Sequence, residues 1–427
     1  MKIKIWLFVL LVATLGVSGC FSDPIDATIP QTDAIRPNQT ETDTLNTVPD
    51  FSVLPEIPPP EPIRSTLLVC GDAMVHSPQM KDAYHRQTET YDFSPMFSSV
   101  RPVISAADYA IVNLETTLAG PAYTGYPKFS APDSFAEALQ DAGFDLLLTA
   151  NNHSYDRQFV GVCRTLDVLD ELGLAHVGTY RTAEERAFQN GAYVADIGGI
   201  SVAFLGYTYG TNGVALDADK PYAVNLLNTD YLTSLSTPDT ETIKADLEAV
   251  QALEPDLICV LLHWGLEYQT TQNAYQEKVA DFLIENGADM ILGGHSHVPQ
   301  PMEWRTVTCA DGSTKTAFVS YSLGNFISSQ RDRYTDTTAA VRLTLEKDPF
   351  TGETNVTEVF YQPFYRLRRE SSAEEVFAVL DVHKELAAYE AGTGIVTSEQ
   401  AQKLYRCIDD CRLIFGEEWD NRIPIEE

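Results

Sequence analysis

Positive charge is what this sequence has least of. Lys and Arg number 29 against 61 Asp and Glu, so the formal net charge of the 427 residues is −32. That excludes nucleic acid as a partner, because no large basic surface exists to displace counterions from a phosphate backbone. It equally excludes adsorption to anionic membranes through basic patches. No CxxC pair or zinc-finger spacing occurs among the 7 cysteines, which removes a structural zinc framework. No apolar run is long enough for a comfortable membrane span, which needs about 20 residues. No internal repeat appears. What is plentiful is apolar material, 44% of the residues, enough for a large packed core. In so acidic a chain, an anionic ligand has to be drawn in by a local cation, most simply a bound metal.

The first residues read as an address. Lys2 and Lys4 precede an apolar run from Ile5 to about Ala13, then small residues, the order of a secretory signal peptide. Val17-Ser18-Gly19-Cys20 resembles a bacterial lipobox, in which Cys20 becomes the lipidated first residue. Residues 1–20 are therefore expected to be a lipoprotein signal peptide, with the mature protein tethered to the extracellular face of the cytoplasmic membrane by its acyl chains. Plain secretion with cleavage nearby is the alternative. Residues 21–63 are dense in Thr, Pro, Asp and Asn and carry no sustained apolar period, so they are expected to be a disordered linker. As a flexible coil it would reach about 35–40 Å.

From 64 to 366 short apolar runs alternate with amphipathic stretches, which predicts an α/β layered domain. Helices are expected over about Pro132–Asp141, Gln158–Leu172 and Asn273–Glu285, each stopped by a glycine. A hairpin is expected around Gly198-Gly199, and antiparallel strands over about Thr337–Phe364. Residues 367–427 are expected to be an acidic helical C-terminal extension. Cys70 and Cys259 lie in apolar runs and read as buried strand residues. Cys407 and Cys411, four apart on a helix, are expected to be free.

Polar residues gather where the apolar runs stop. Asp72, Glu115, Asn152, His153, His263, His295 and His297 each follow such a run. Singly, each has a bland explanation: Gly-Asp is turn chemistry, and a lone histidine beside Trp264 is more often structural. Together they fall where ligands bind in open α/β sheets, just past the strand ends. Carboxylate, imidazole and amide oxygen form the ligand set of Mn, Zn or Fe, and a bridging carboxylate makes a two-metal site.

Six motifs occur in order: Gly71-Asp72-Ala73-Met74-Val75-His76, Asn113-Leu114-Glu115, Ala150-Asn151-Asn152-His153 with Asp156, His263-Trp264-Gly265 with Glu267-Tyr268, Gly293-Gly294-His295-Ser296-His297, and Ser322-Leu323-Gly324-Asn325-Phe326. The set resembles the CapA-type capsule-synthesis family, associated with poly-γ-glutamate and related to calcineurin-like metallophosphoesterases. The resemblance covers about Leu67–Ile327 and implies a four-layer α/β/β/α sandwich with two divalent metal ions at the strand ends. It implies Asp72 and His297 on one metal, Glu115 as bridge, and Asn152, His263 and His295 on the second. His153 resembles the phosphoesterase general acid, with Asp156 orienting its ring. The structural alternatives are a loop-bracing role for His153 and a helix N-cap for Asp156.

Two departures from the pattern matter. Metallophosphoesterases carry Asp-x-His on the first loop, whereas Asp72 is followed by Ala73 and Met74. His76 either replaces that ligand or faces solvent. Glu115 stands where those relatives have Asp, one methylene longer. Lys128, Arg157, Trp264 and Tyr268 are candidates for a substrate-binding mouth. Two readings follow. One is a lipid-anchored metal-dependent hydrolase or transferase acting on an anionic polymer or phosphoester. The other is a non-catalytic capsule assembly or export subunit with a structural metal site, docking on membrane capsule-synthesis proteins.

Overall fold

A computed structural model describes residues 60–420, apart from 189, 371–374 and 395. The expected signal peptide, Cys20 and nearly all of the expected linker lie outside the described residues. Two sheets dominate the rest. The first has seven strands in the order Glu375–Asp381, Thr354–Glu370, Thr337–Lys347, Ile63–Ala73, Tyr109–Leu114, Leu146–Leu148 and Ala175–Val177. The second has six: Met302–Thr308, Thr314–Ser320, Met290–Gly294, Leu257–His263, Ile200–Thr208 and Ala192–Ile197.

The layering follows from which faces are apolar. Leu67, Val69, Ile111 and Leu146 of the first sheet pack with Val202, Phe204, Leu261 and Leu292 of the second, making one core between the sheets. The outer face of the first sheet, with Leu68, Cys70 and Val112, packs against Phe135 and Leu139 of the helix Ser134–Ala142. The outer face of the second, with Val260 and Ile291, packs against the helices Thr240–Gln251 and Ala274–Glu285 through Leu247, Val279 and Leu283. This is the expected α/β/β/α order. Side chains alternate between faces along each central strand, so each strand feeds two cores at once. Each large apolar side chain so buried is worth roughly 1.5–3 kcal/mol.

Local chemistry sets the helix ends. Asn273 caps Ala274–Glu285 by accepting the Gln276 amide at 3.0 Å, while Gln276 Oε1 accepts the Asn273 amide at 3.1 Å. Gly143 and Gly173 end their helices with φ of 107° and 72°, a conformation that glycine adopts without strain. Gly198-Gly199 joins Ala192–Ile197 to Ile200–Thr208 as the expected hairpin.

The C-terminal part differs from expectation. Residues from 367 do not begin a helical extension: the long strand runs on to Glu370, and Glu375–Asp381 forms the edge strand of the first sheet. Helices Val382–Glu390 and Ser398–Phe415 follow. The second of them places Leu404, Cys407, Ile408, Cys411 and Phe415 in the core between the sheets, so it covers inner-face surface of the first sheet. Both of its cysteines are free, as are Cys70, Cys163, Cys259 and Cys309.

Candidate metal centre

Strand register brings the site together. In the first sheet Asp72 pairs with Asn113, and Glu115 follows one residue past the end of Tyr109–Leu114. In the second, His263 ends its strand level with Gly294 on one side and Thr208 on the other. His295 comes next, and its backbone amide donates at 3.0 Å to Asp72 Oδ2, lacing the two sheets together. A side chain on Gly294 would not fit there, since a Cβ would sit 2.5 Å from Asp72 Oδ1. His295 and His297 hold φ of 91° and 61°, left-handed values that cost a non-glycine residue of order 1–3 kcal/mol. The His297 ring then lies beside Asp72, and the His295 ring lies against His263.

Six predicted residues converge. Asp72, Glu115 and His297 offer ligand atoms within 4.8 Å of one another, and all three are buried. His297 Nδ1 is 3.6 Å from Asp72 Oδ2 and 4.0 Å from Glu115 Oε2. On the other side of Glu115, His263 Nε2 is 3.6 Å from Oε1, 3.0 Å from Asn152 Oδ1 and 3.2 Å from His295 Nδ1. Glu115 thus stands between the two groups of ligands. Atoms bound to one divalent ion at about 2.1 Å lie roughly 3–4 Å apart, which matches the separations around His263 Nε2.

The decisive feature is electrostatic. Asp72 and Glu115 are both 0% exposed. Asp72 is served by Asn113 Nδ2 at 2.7 Å and by the His295 amide, but neither oxygen of Glu115 has a hydrogen-bond partner among the described residues. Burial, then the charges of Asp72, Glu267 and Asp156, push the Glu115 carboxyl well above its usual range. Burial and neighbouring imidazoles push His263 and His295 well below theirs, so both are neutral. Neutral imidazoles around a partnerless buried carboxylate are suited to a cation and poorly suited to anything else.

His153 sits beside this centre. Its Nδ1 is 2.7 Å from Asp156 Oδ2, and that oxygen also accepts the Phe129 amide at 2.7 Å. Asp156 is not a helix cap: Arg157 is the N-cap of Gln158–Leu172, with no side-chain capping bond. Phe129 packs edge-on against His153 at 4.6 Å and against His76 at 5.1 Å. His76 does not face solvent freely. Its Nδ1 accepts the Ser329 amide at 3.4 Å, and it lies outside the Asp72, Glu115 and His297 group.

The expected mouth needs correction. Trp264 is 0% exposed, stacks on Tyr321 and donates to its carbonyl at 2.9 Å, so it belongs to the core and contacts no substrate. Arg157 is committed to bracing the 121–130 loop through Thr124 Oγ1 at 2.6 Å. Lys128 is exposed on that loop. Tyr268 is half-exposed, with its ring 5.9 Å from that of His297. Two neighbours escaped the sequence reading. Tyr209 packs on His295 at 4.3 Å, and Asn212 reaches Asn152 at 3.2 Å and both nitrogens of His153 at 3.4–3.5 Å. Both follow the apolar strand Ile200–Thr208, the same signal that flagged the others.

Comparison with known proteins places the chain. The family description "Bacterial capsule synthesis protein PGA_cap" matches residues 66–330, more than half of the sequence. The chain belongs to this family. It is 27% identical over 354 residues to "Capsule biosynthesis protein CapA" of Bacillus anthracis, covering 80% of this chain and 77% of that one. It is 28% identical over 281 residues to "PGA biosynthesis protein CapA" of Bacillus subtilis, covering 64% and 66%. A solved phosphatase from Mycoplasma pneumoniae aligns with 70% of this chain and 94% of its own, at 15% identity and a TM-score of 0.37. At that distance it lends no activity to this member of the capsule synthesis family.

Proposed function

We propose that this chain is a divalent-metal-dependent hydrolase or transferase of capsule synthesis, acting on an anionic polymer or phosphoester. In the same proposal, lipid on Cys20 holds it at the extracellular face of the cytoplasmic membrane. The observation that carries the reading is the buried Glu115 carboxylate, partnerless among the described residues, between His297 with Asp72 on one side and His263 with Asn152 and His295 on the other. Those six residues would hold two ions of Mn, Zn or Fe type, the chemistry preferred by mixed carboxylate, amide and imidazole donors. Ions bound there would polarise a substrate oxygen and neutralise charge developing on it.

The chain's own groups supply the rest. Asp156 accepts from Nδ1 of His153 and so fixes the ring with Nε2 as the nitrogen left to pass a proton, the arrangement of a general acid that protonates a leaving group. Asn212 lies over the same ring and is exposed, where an incoming substrate would meet it. Membership of a poly-γ-glutamate-associated family supports an anionic polymer as the substrate class.

One observation favours a second reading, a non-catalytic assembly subunit. Met74 occupies the position of the missing first-loop histidine and is buried, so it offers no ordinary ligand to a first ion. Metal analysis of the purified protein, then assay of a chromogenic phosphodiester and of γ-glutamyl polymer with added Mn, separates the two. Metal-dependent turnover supports the enzyme. Metal-loaded protein that cleaves neither substrate favours the assembly role, and a protein that takes up no divalent ion sinks both.

A further inference from the structure

The motif Ser322–Phe326 contributes no ligand, yet it is tied to the centre from every side. Gly324 O accepts the Asp72 amide at 2.9 Å, and Leu323 N donates to Gly293 O at 3.1 Å. Asn325 is 0% exposed. Its side chain lies 3.0 Å from His297 Nδ1 on one side, and on the other its Nδ2 donates to Gln330 Oε1 at 2.7 Å and to the Thr335 carbonyl at 3.3 Å.

The Thr335 contact settles the orientation. A main-chain carbonyl can only accept, so the NH2 end of Asn325 must face it, and the Oδ1 end must face His297. His297 Nδ1 therefore carries a proton and donates it to Asn325. Asp72 Oδ2, at 3.6 Å from the same nitrogen, is too far to compete. An imidazole that binds a cation carries one proton, so with Nδ1–H given to Asn325 the lone pair left for a cation is on Nε2. Behind Asn325 the support is continuous. Gln330 O accepts from Arg366 Nη2 at 2.6 Å, Gln330 Nε2 reaches Tyr268 OH at 3.3 Å, and Arg366 is itself 4% exposed.

We infer that Asn325, held by Gln330 and Thr335, is the positioning residue of the metal centre: it fixes His297 in the Nδ1–H tautomer, so that Nε2 is the nitrogen offered to a divalent cation. The inference rests on the metal site proposed above. Its role is to lock a ring that already carries backbone strain, so that the ligand does not reorient as a cation arrives or leaves.

The test is calorimetric titration of the full-length, metal-free protein with Mn2+. Asn325→Leu should weaken binding about 10–100-fold at one position, the usual cost of losing a partner that orients a ligand. Asn325→Asp offers no clean rescue, because a carboxylate oxygen would face the Thr335 carbonyl. The discriminating readout is instead the 15N NMR signature of His297, protonated at Nδ1 in the metal-free parent and shifted toward the Nε2–H tautomer in Asn325→Leu. A purely structural Asn325 would leave that signature unchanged. Parent-like binding by Asn325→Leu, or an unchanged tautomer signature, overturns the inference and leaves the metal site standing. Failure of the parent protein to bind Mn2+, Zn2+ or Fe2+ overturns both. Should Asn325→Leu not fold, Gln330→Leu at a half-buried position is the substitute, and it must bind several-fold more weakly; unchanged affinity overturns the inference.

Discussion

His153 Nδ1 and Asp156 Oδ2 are 2.7 Å apart and nearly fully buried, three residues from one another on a loop that follows a three-residue strand. The Phe129 amide pins the same carboxylate oxygen, so the acceptor is fixed before the imidazole meets it. If His153 delivers a proton, His153→Ala should cost about 10²–10⁴ in turnover while leaving the bound metal in place. Asp156→Asn should cost roughly tenfold or more, with a changed pH profile, since the amide oxygen held by the Phe129 amide still accepts from His153 but no longer carries the charge that stabilises a protonated ring. Turnover and metal content measured on the same preparations check this; unchanged turnover in His153→Ala removes it from the chemistry.

Glu115→Gln should move stability in opposite directions with and without metal. Burial and Asp72 hold the Glu115 carboxyl above its usual range in the folded protein. The unfolded chain loses that proton near pH 4.5, so stability present below that pH is lost as pH rises, and at neutrality the residue is a liability. Removing the charge should therefore stabilise the metal-free protein by roughly 1–3 kcal/mol, while abolishing the stabilisation that a divalent ion gives the parent. Melting curves in chelator and in Mn2+ check both halves. A Glu115→Gln protein that is less stable in chelator contradicts this account of the buried carboxylate.

The two metal positions should fill unequally. Asn151 Nδ2 donates to the Leu114 carbonyl at 2.8 Å and to Asn113 Oδ1 at 3.1 Å, which turns Asn113 Nδ2 toward Asp72 and toward His263 Nδ1 at 3.1 Å. His263 then accepts at Nδ1 and donates from Nε2 to Asn152, a closed pair that a cation must open. At the Asp72, Glu115 and His297 position, short as it is of a first-loop histidine, no pair of ligands is hydrogen-bonded to one another, and the Glu115 oxygens have no hydrogen-bond partner among the described residues. Titration should resolve a tight and a weaker ion, roughly tenfold or more apart, with His263→Ala and Asn152→Ala abolishing the weaker one. Two ions of equal affinity would contradict it.

What was legible in the sequence was the list of strand ends. Asp72, Glu115, His263 and His295 could be found because a buried strand is a short apolar run, and the first polar residue after it stands at the sheet's edge. Trp264 was misread by the same rule, since a residue one past the strand is followed by a turn that folds it back under Tyr321. Residues 375–381 were misread because Val376, Phe377, Val379 and Leu380 fit either period in so short a run. Pairing with Thr354–Glu370 decides it, placing Phe377 and Val379 on one face and Leu380 on the other. The role of Asn325 was illegible for a different reason: its contact with His297 spans 28 residues, and its orientation depends on a carbonyl ten residues further on.

Membrane attachment is tested at the other end of the chain. If acyl chains on Cys20 are the anchor, Cys20→Ser should release the protein from membranes to the medium without altering its metal content, because the described fold begins some forty residues later. Continued sedimentation of the variant with membranes would mean that another element holds it there.

His76 makes the protein acid-sensitive in a defined window. Burial lowers its pKa to about 4, against the opposing hydrogen bond with the Gln79 side chain, while the unfolded chain titrates near 6.5. The unfolded state therefore binds more protons between those values, and stability falls as pH drops from about 6.5 to about 4. His76→Gln keeps an acceptor for the Ser329 amide but has nothing to protonate. In chelator, its stability between pH 6.5 and 4 should fall less steeply than the parent's, by about 3 kcal/mol at most over the window. The buried His263 and His295 contribute in the same direction in both proteins, so the difference between the two curves isolates His76. Superimposable curves from denaturant unfolding across that range would show that the ring is not held neutral by its surroundings.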